Sequence, residues 1–216
     1  MFDNYDWENQ RTNMVKEQLV IRGISDDAIL QAFREVPRHR FIPEKYKEYA
    51  YADRPLPIGE NQTISQPYIV AEMIEALEVT QNDSVLEVGI GSGFAAAVLS
   101  KVVENVYGVE IHQELVDQSR DKFKELNYHN INIRQGDGTR GWEEKAPFDG
   151  ILVSAAAPEI PGPLLEQLKE GGFLIIPLGD SHIQSLTRIK KEEDEFIHEN
   201  LEMVRFVPLV KEEGWN

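Results

Sequence analysis

Residues 84–93 read Ser-Val-Leu-Glu-Val-Gly-Ile-Gly-Ser-Gly, an apolar run that ends in three glycines at alternate positions. A short apolar run with branched side chains is typical of a buried strand, and glycines allow the following turn to approach a ligand closely. A helical stretch follows, around residues 95–103. In open α/β sheets, nucleotides bind at the turn between the first strand and its helix. The stretch therefore predicts an α/β sheet with a nucleotide-binding turn.

Short apolar runs alternate with helical stretches in the sequence downstream. Helices are predicted around 113–126 and near 164–169, and the runs are NVYGVE (105–110), INIRQ (131–135), DGILVS (149–154) and GFLIIPLG (172–179). This alternation is typical of a parallel sheet covered on both faces. QSLTRIKK (184–191) and ENLEMVRFVPL (199–209) predict two more strands, joined by a charged turn. The sequence thus predicts a doubly wound, mostly parallel, Rossmann-like sheet with an antiparallel C-terminal edge hairpin.

The first 66 residues predict a helical N-terminal extension. Gly23 ends one helical segment, Ser25 can cap the next, and Pro37 stops it. Pro67 then starts a helix with an apolar stripe, which we interpret as core: Val70, Met73, Ile74 and Leu77. The length of 216 residues suits one domain.

The composition excludes several classes of protein. With 41% hydrophobic and 28% charged residues, the chain is typical of soluble globular proteins, and no run approaches the roughly 18 apolar residues of a membrane span. The net charge of −16 repels a nucleic-acid backbone, so we expect no nucleic-acid partner. The chain has no cysteine, which excludes disulfides and thiolate chemistry. The N-terminal sequence lacks the pattern of a secretion signal, and we expect a cytoplasmic protein.

The glycine spacing separates two kinds of nucleotide-derived ligand. A dinucleotide fingerprint needs a glycine three residues after Gly91, but Phe94 stands there and the third glycine is Gly93. A pyrophosphate binds bare N–H groups, whereas a cationic methyl donor gains from a nearby carboxylate, which Glu87 can supply. A tight structural turn and a nicotinamide-dependent oxidoreductase are the alternative interpretations of this loop.

Two later strand ends carry acidic residues. Glu110 lies 19 residues after Gly91, where an acid commonly binds the hydroxyls of an adenosine ribose. Asp137, between two glycines after the third strand, could accept a hydrogen bond from an adenine amino group. A solvated acid and an ordinary Asp-Gly turn are the alternatives. The five histidines lie at no metal-ligand spacing, so we expect no metal: His39, His112, His129, His182 and His198.

The polar stretch GENQTISQPY (59–68) has two interpretations. Its residues suit a turn, because Gly, Asn, Thr and Ser bond their own backbone. It could also form half of an active site. With Pro67 at the first helical position, Gln66 would be the helix cap and Ser65 would lie one residue outside it.

Several segments together resemble the protein-L-isoaspartate O-methyltransferases, a family within the S-adenosylmethionine-dependent class I methyltransferase fold. They are MVKEQLVIRGISDDAILQAFREVPRHRFIP, YADRPLPIGENQTISQPYIVAEM, VLEVGIGSGFAAAVLS, GDGTRGW, LKEGGFLIIPLG and RFVPL. The resemblance covers almost the whole chain. It implies a substrate loop within 1–66, a donor-binding α/β core at 67–180 and C-terminal strands at 181–216.

The resemblance also implies roles for individual residues. Ser65 matches the active-site serine, and Gln62, Thr63 and Ile64 match the floor between the methyl donor and the substrate. The donor site is implied to include Glu87, Gly89, Gly91, Ser92, Glu110, Ile111, Asp137 and Gly138. Val207 and Leu209 match residues of the substrate wall. The chain departs from the pattern at Ile90, Phe94, Ala95 and Lys211.

The implied reaction moves a methyl from S-adenosylmethionine to the free α-carboxylate of an L-isoaspartyl residue, leaving S-adenosylhomocysteine. The ester then closes to a succinimide, which begins repair of damaged peptides and proteins. A carboxylate is already ionised at pH 7, so no general base is needed and Ser65 is expected to orient it. A carboxyl methyltransferase dedicated to an Asp of one specific peptide, and a non-catalytic binder of the donor, are alternatives.

Overall fold

The structure is a computed structural model that describes residues 6–180, 182–193 and 195–211. The N-terminal extension contains α1 (Trp7–Met14), α2 (Asp27–Glu35), β1 (Leu56–Gly59) and β2 (Gln62–Ile64), followed by α3 (Pro67–Glu75). One π turn lies at Val15–Leu19, and 3-10 turns lie at Val20–Arg22, Arg38–Phe41 and Glu44–Tyr49. This part is therefore mainly helical, as the sequence predicts, but it ends in a short hairpin.

The remaining chain builds the central sheet and the helices that cover it. The strands are β3 (Ser84–Val88), β4 (Asn105–Glu110), β5 (Ile131–Gln135), β6 (Phe148–Val153), β7 (Leu168–Gly179), β8 (Gln184–Glu192) and β9 (Glu195–Val204). The helices are α4 (Phe94–Leu99), α5 (Gln113–Glu125) and α6 (Gly162–Gln167), and 3-10 turns lie at Gly138–Arg140 and Glu143–Lys145.

The sheet has the strand order β5-β4-β3-β6-β7-β8-β9. The first five strands in this order run parallel, and β8 and β9 add antiparallel strands at one edge. The predicted sheet and edge hairpin are therefore confirmed. The last strand ends at Val204, earlier than predicted, and residues 205–209 leave the sheet edge. Leu209 donates instead from its N–H to the carbonyl of Ala156 at 2.7 Å, after β6.

Strand β3 is the centre of the molecule. It pairs with β4 on one side and with β6 on the other. Successive strands are therefore added first on one side of β3 and then on the other, and the strand order reverses at β3. Its side chains are buried on both faces, with Val85 in one apolar layer and Leu86 in the other. A strand order that reverses in this way opens a crevice at the carboxyl ends of the strands.

The N-terminal extension packs against the helix that follows the glycine loop. Phe33 of α2 makes an edge contact with Phe94, with ring centroids 5.8 Å apart. The predicted cap at Ser25 is wrong by one residue, because Asp26 accepts the hydrogen bond from the N–H of Ile29. The Ser25 backbone instead donates to Glu75 of α3. Helix α2 ends before Pro37, which disfavours helical backbone at the preceding residue.

The hairpin β1–β2 replaces the predicted loop at 59–65. Glu60 and Asn61 adopt positive φ angles of 48° and 56°, which form the tight turn between the strands. Ile64 pairs with Leu56 and is buried. Pro67 begins α3 with Gln66 before it, as predicted. Ser65 therefore lies in a short link between a strand and a helix.

The helices of the described residues are all too short or too polar for a membrane span.

Candidate active site

A cleft opens where β3, β4 and β6 end. The hairpin β1–β2 and residues 207–210 cover it. Thirteen of the fourteen predicted site residues line it, all except Asp137: Gln62, Thr63, Ile64, Ser65, Glu87, Gly89, Gly91, Ser92, Glu110, Ile111, Gly138, Val207 and Leu209. The fold thus brings residues from both ends of the chain to one site.

The glycine loop is held by backbone and side-chain hydrogen bonds. The N–H of Gly89 donates to the carbonyl of Val109 at 2.8 Å, and Ser119 Oγ donates to the carbonyl of Gly91 at 2.8 Å. Gly93 has a φ of 83°, and a Cβ there would lie 2.6 Å from Phe123 Cζ. The third glycine is therefore required by close packing between the start of α4 and α5.

Glu87 places a buried carboxylate at the bottom of the cleft. It is 1% exposed, and Ser154 Oγ donates to its Oε1 at 3.2 Å. Its Oε2 is buried without a hydrogen-bond partner among the residues described. Burial raises the pKa of Glu87 to about 8; the bond from Ser154 opposes this increase, and the charge of Glu110 adds to it. A buried carboxylate with one unpaired oxygen suits a cationic ligand group.

Glu110 is 5% exposed and is oriented by two backbone groups. Its Oε2 accepts from the N–H of Gly91 at 2.9 Å, and its Oε1 accepts from the N–H of His112 at 3.0 Å. Each carboxylate oxygen has a further lone pair that can accept from a ribose hydroxyl. The glycine loop and this acid are therefore fixed relative to each other.

Asp137 is buried and is not among the residues that line the cleft. Its Oδ1 accepts from both the N–H of Thr139, at 2.9 Å, and Thr139 Oγ1, at 2.7 Å. The carboxylate caps the 3-10 turn that begins at Gly138, and Gly138 itself lines the cleft. A contact between Asp137 and an adenine amino group stays a prediction.

A second cleft adjoins the first on the side of β9. Apolar residues of this cleft are Pro55, Ile69, Met203, Val204 and Phe206. Four residues line both clefts and so mark the place where they meet: Thr63, Ser65, Ser154 and Val207. Because Ala156 also donates from its N–H to the carbonyl of Val207 at 2.8 Å, residues 207–209 are fixed to the loop after β6.

The sequence interpretation missed several residues of the site. Ser154 stands at the end of the predicted strand DGILVS. It could have been found in the same way as Glu110, because both are polar residues at the end of a parallel strand. His112 lines the first cleft, with its Nε2 3.5 Å from Gln62 Nε2. Val70 and Met73 are buried, as the core interpretation of their stripe predicts, but they also contribute to the cleft wall. No sequence pattern indicates that these two core residues also line the cleft.

Two of the departures from the family pattern lie at the glycine loop. Ile90 is buried and covers Gly108 of β4, where an added Cβ would lie 2.1 Å from Ile90 Cδ1. Phe94 is buried against Phe33 and Phe41. Both side chains therefore act in packing beneath the loop, and both also line the cleft.

The fold and the site together define a class of protein. Glu87 puts a buried carboxyl group beside the glycine loop, which disfavours a pyrophosphate and favours a cationic adenosine derivative. Of the residues within 6–180, 182–193 and 195–211, no group of three or more His, Cys, Asp or Glu could hold a metal ion. The arrangement is that of a class I methyltransferase, which uses S-adenosylmethionine, and the unpaired oxygen of Glu87 fits this donor.

Comparison with known proteins gives the family. The model of the family described as protein-L-isoaspartate(D-aspartate) O-methyltransferase matches residues 9–214. The chain therefore belongs to the protein-L-isoaspartate(D-aspartate) O-methyltransferase family.

The individual relatives agree with this assignment. The chain is 54% identical to a protein-L-isoaspartate O-methyltransferase of Pelotomaculum thermopropionicum, over 99% of this chain and 94% of that protein. A solved protein-L-isoaspartate O-methyltransferase matches with a TM-score of 0.83 and 31% identity, over 93% of this chain and 65% of that one. A Plasmodium falciparum protein described as such an enzyme, in complex with S-adenosyl-L-homocysteine, matches with a TM-score of 0.79 and 29% identity, over 93% and 98% of the chains.

Proposed function

We propose that the chain methylates the free α-carboxylate of L-isoaspartyl residues in peptides and proteins, with S-adenosylmethionine as donor and S-adenosylhomocysteine as product. The observation that carries this proposal is the meeting of two clefts at Ser65. One cleft holds the acidic groups suited to the donor, and the other has an apolar wall suited to a peptide. The position of Ser65 in both supports a role at the point of transfer.

The donor side is proposed to bind through its acidic groups and its loop. When bound, S-adenosylmethionine supplies a methyl group on a positively charged sulfur, which a carboxylate oxygen can attack. Glu87 would face a cationic group of the donor, and Glu110 would accept from the ribose hydroxyls. Gly89, Gly91, Ser92, Ile111 and Gly138 would form the walls, with Gln62 and Thr63 above them.

The acceptor side is proposed to hold the carboxylate in line. An acceptor carboxylate has a pKa near 4 and is ionised at pH 7, so no residue needs to remove a proton. The Ser65 hydroxyl would donate one hydrogen bond, which orients the oxygen without the strong attraction of a full positive charge. Ile64, Val207 and Leu209 would exclude water around it, and alignment of this kind can lower the barrier by several kcal/mol.

The product ester would close to a succinimide without further help from the protein. Reopening of this ring partly restores a normal aspartyl residue, so methylation would begin repair. General repair is our proposal, whereas the dedicated modification of one Asp-containing peptide is the alternative. The second cleft supports general repair, because its wall is mainly apolar and carries a single charged side chain, Arg205, so it fixes few specific contacts.

Partners and location are also proposals. The net charge of −16 supports a peptide substrate rather than nucleic acid, because it repels a phosphate backbone. We propose that the reaction takes place in the cytoplasm, without a metal and without a membrane partner.

The first experiment measures transfer of labelled methyl from S-adenosylmethionine to two synthetic peptides that differ only in isoaspartate or aspartate at one position. We expect labelling of the isoaspartyl peptide alone, and of unrelated isoaspartyl peptides as well. Labelling of a single normal Asp peptide would favour the dedicated enzyme. Donor binding without labelling of any peptide would contradict the proposed activity.

A further inference from the structure

Arg38 is a fully buried cation next to the candidate site. It begins the 3-10 turn Arg38–Phe41, and its side chain is 0% exposed. Arginine is rarely buried without an acidic partner, because removing a charge from water is costly. Yet none of the ion pairs found among the described residues involves Arg38, and Asp53 acts on it only through longer-range attraction. Its burial therefore needs another explanation.

The hydrogen bonds of Arg38 join two segments that are distant in sequence. Its Nε donates to the carbonyl of Ala50 at 2.8 Å, and its Nη2 donates to the carbonyl of Ser65 at 2.8 Å. The planar guanidinium fixes the angle between these two bonds, which the single ammonium of a lysine cannot do. The N-terminal extension thus holds the backbone of the predicted active-site serine directly.

The same guanidinium also contacts the donor side. Its Cζ lies 4.8 Å from the centre of the Phe94 ring, and Phe94 lines the donor cleft at the start of α4. A cation over an aromatic face is attracted to it, and the attraction is stronger away from water. One side chain therefore contacts both the residue that would orient the acceptor and the helix that follows the glycine loop.

The unpaired donor and the charge of Arg38 indicate more than a packing role. Its Nη1 is buried and has no hydrogen-bond partner among the described residues. Burial lowers the pKa of Arg38 to about 9, so the group is still charged at neutral pH. A buried donor left unpaired is unfavourable for folding, so packing alone does not account for Arg38.

We propose that Arg38 is a positioning residue for methyl transfer, which holds the Ser65 backbone against the donor side so that the Ser65 hydroxyl meets the acceptor carboxylate. This inference rests on the function proposed above. It assigns Arg38 no contact with either substrate. Its effect on the reaction passes through Ser65.

The test is a double-mutant cycle of Arg38→Lys and Ser65→Ala, with kcat, the peptide KM and donor binding measured for each variant. We expect Arg38→Lys to lower kcat roughly 10- to 100-fold, with the donor Kd changed less than about twofold, because small misplacement of a reacting group is enough. In the Ser65→Ala background, the same Arg38 change should have little further effect on kcat, because coupled residues are not additive.

Controls separate positioning from a loss of stability. Ile29→Ala, a buried change in α2, should lower the melting temperature while kcat stays within about twofold of the unmodified protein. Arg38→Gln is measured in parallel. The kcat of whichever Arg38 variant keeps a cooperative melting transition is used to test the positioning role.

Three results would overturn the inference. They are unchanged kcat in the Arg38 variants, additive effects in the cycle, or a fall in kcat that Ile29→Ala reproduces at equal loss of stability. If the unmodified protein labels no isoaspartyl peptide, the proposed function fails first and the inference fails with it. If it does label them and the Arg38 variants do so equally well, the inference alone fails.

Discussion

The proposed donor side and the proposed acceptor side of the site are built differently. On the proposed donor side, Glu87 and Glu110 lie in two neighbouring strands, and Gly91 lies in the loop after the first of them. Glu110 accepts from the N–H of Gly91 at 2.9 Å, and Glu87 accepts from Ser154 at 3.2 Å. On the acceptor side, Ser65 and Val207 come from segments more than a hundred residues apart. Among the described residues, each of the two accepts one hydrogen bond at its carbonyl, Ser65 from Arg38 and Val207 from Ala156.

This difference indicates how each side responds to change. A site formed by adjacent parallel strands shares the rigidity of the sheet, so a substitution there should act locally on binding of the donor. A site assembled from distant segments depends on the contacts that hold them, so its geometry can change without loss of the fold. Four predictions test this contrast, from the largest expected effect to the smallest.

Ser65→Ala tests the acceptor side at its centre. We expect kcat to fall roughly 100-fold or more, because the acceptor oxygen loses the donor that orients it, while the donor Kd stays within about twofold. Isothermal calorimetry with S-adenosylhomocysteine and methyl-transfer kinetics measure the two quantities. Unchanged turnover would remove Ser65 from the site, and an equal fall in donor affinity would remove the contrast between the sides.

Glu110→Ala tests the proposed donor side, where the expected change is in donor affinity. We expect the donor Kd to rise about 10- to 100-fold, because the variant loses the acceptor for the ribose and the carboxylate that holds the N–H groups of Gly91 and His112. Glu114→Ala, an exposed acid in the first turn of α5, is the matched control and should bind normally. Equal affinities for the two variants would disprove the role of Glu110.

Glu87→Gln tests the electrostatics of the donor cleft. Because burial raises the pKa of Glu87 to about 8, the free protein carries this group mostly protonated at neutral pH. A cationic donor favours the ionised form, so binding should release a proton and strengthen by up to about tenfold per pH unit between pH 6 and 8, then level off.

The Gln variant should bind the donor more weakly at pH 8 and lose this slope, as measured by calorimetry over the pH range. If the variant keeps the slope of the unmodified protein, Glu87 is not the group whose proton is released on binding. Glu78→Gln, an exposed acid outside the cleft, is the control for the change in net charge.

Val207→Ala is the mildest test of the acceptor wall. Removing two methyl groups from a partly buried position should raise the peptide KM by about three- to tenfold and leave the donor Kd unchanged. Ile183→Ala, an exposed apolar residue outside both clefts, should change neither value. A rise in the donor Kd for Val207→Ala would show that the two sides are less separate than the structure indicates.

Much of the donor side could be predicted from the sequence because its signals are local. The strand, the glycine turn and the acid at the next strand end all lie within residues 84–110, and the repeating pattern of the sheet fixes their relative positions. The same reasoning extended to the fourth strand end would have found Ser154. The adenine contact of Asp137 stays a prediction, and its carboxylate caps the turn that begins at Gly138.

The acceptor side could be placed only through resemblance to a family, and its contacts were not predictable. The stretch 59–65 has the composition of a loop, but pairing with Leu56–Gly59 turns part of it into a strand. Residues 205–209 continue a strand pattern, but they leave the sheet and bind the loop after β6. In both cases a tertiary contact overrides local preference.

By itself, the sequence determined the order of strands and helices, the glycine turn at the first strand and the acids at successive strand ends, because these depend on periodicity and backbone preference along the chain. The tertiary structure alone decided that Arg38 meets Ser65 and Phe94, that Ser154 bonds Glu87, and that Val207 closes the cleft. Such contacts join segments far apart in the chain. They depend on packing in three dimensions, which no local pattern encodes.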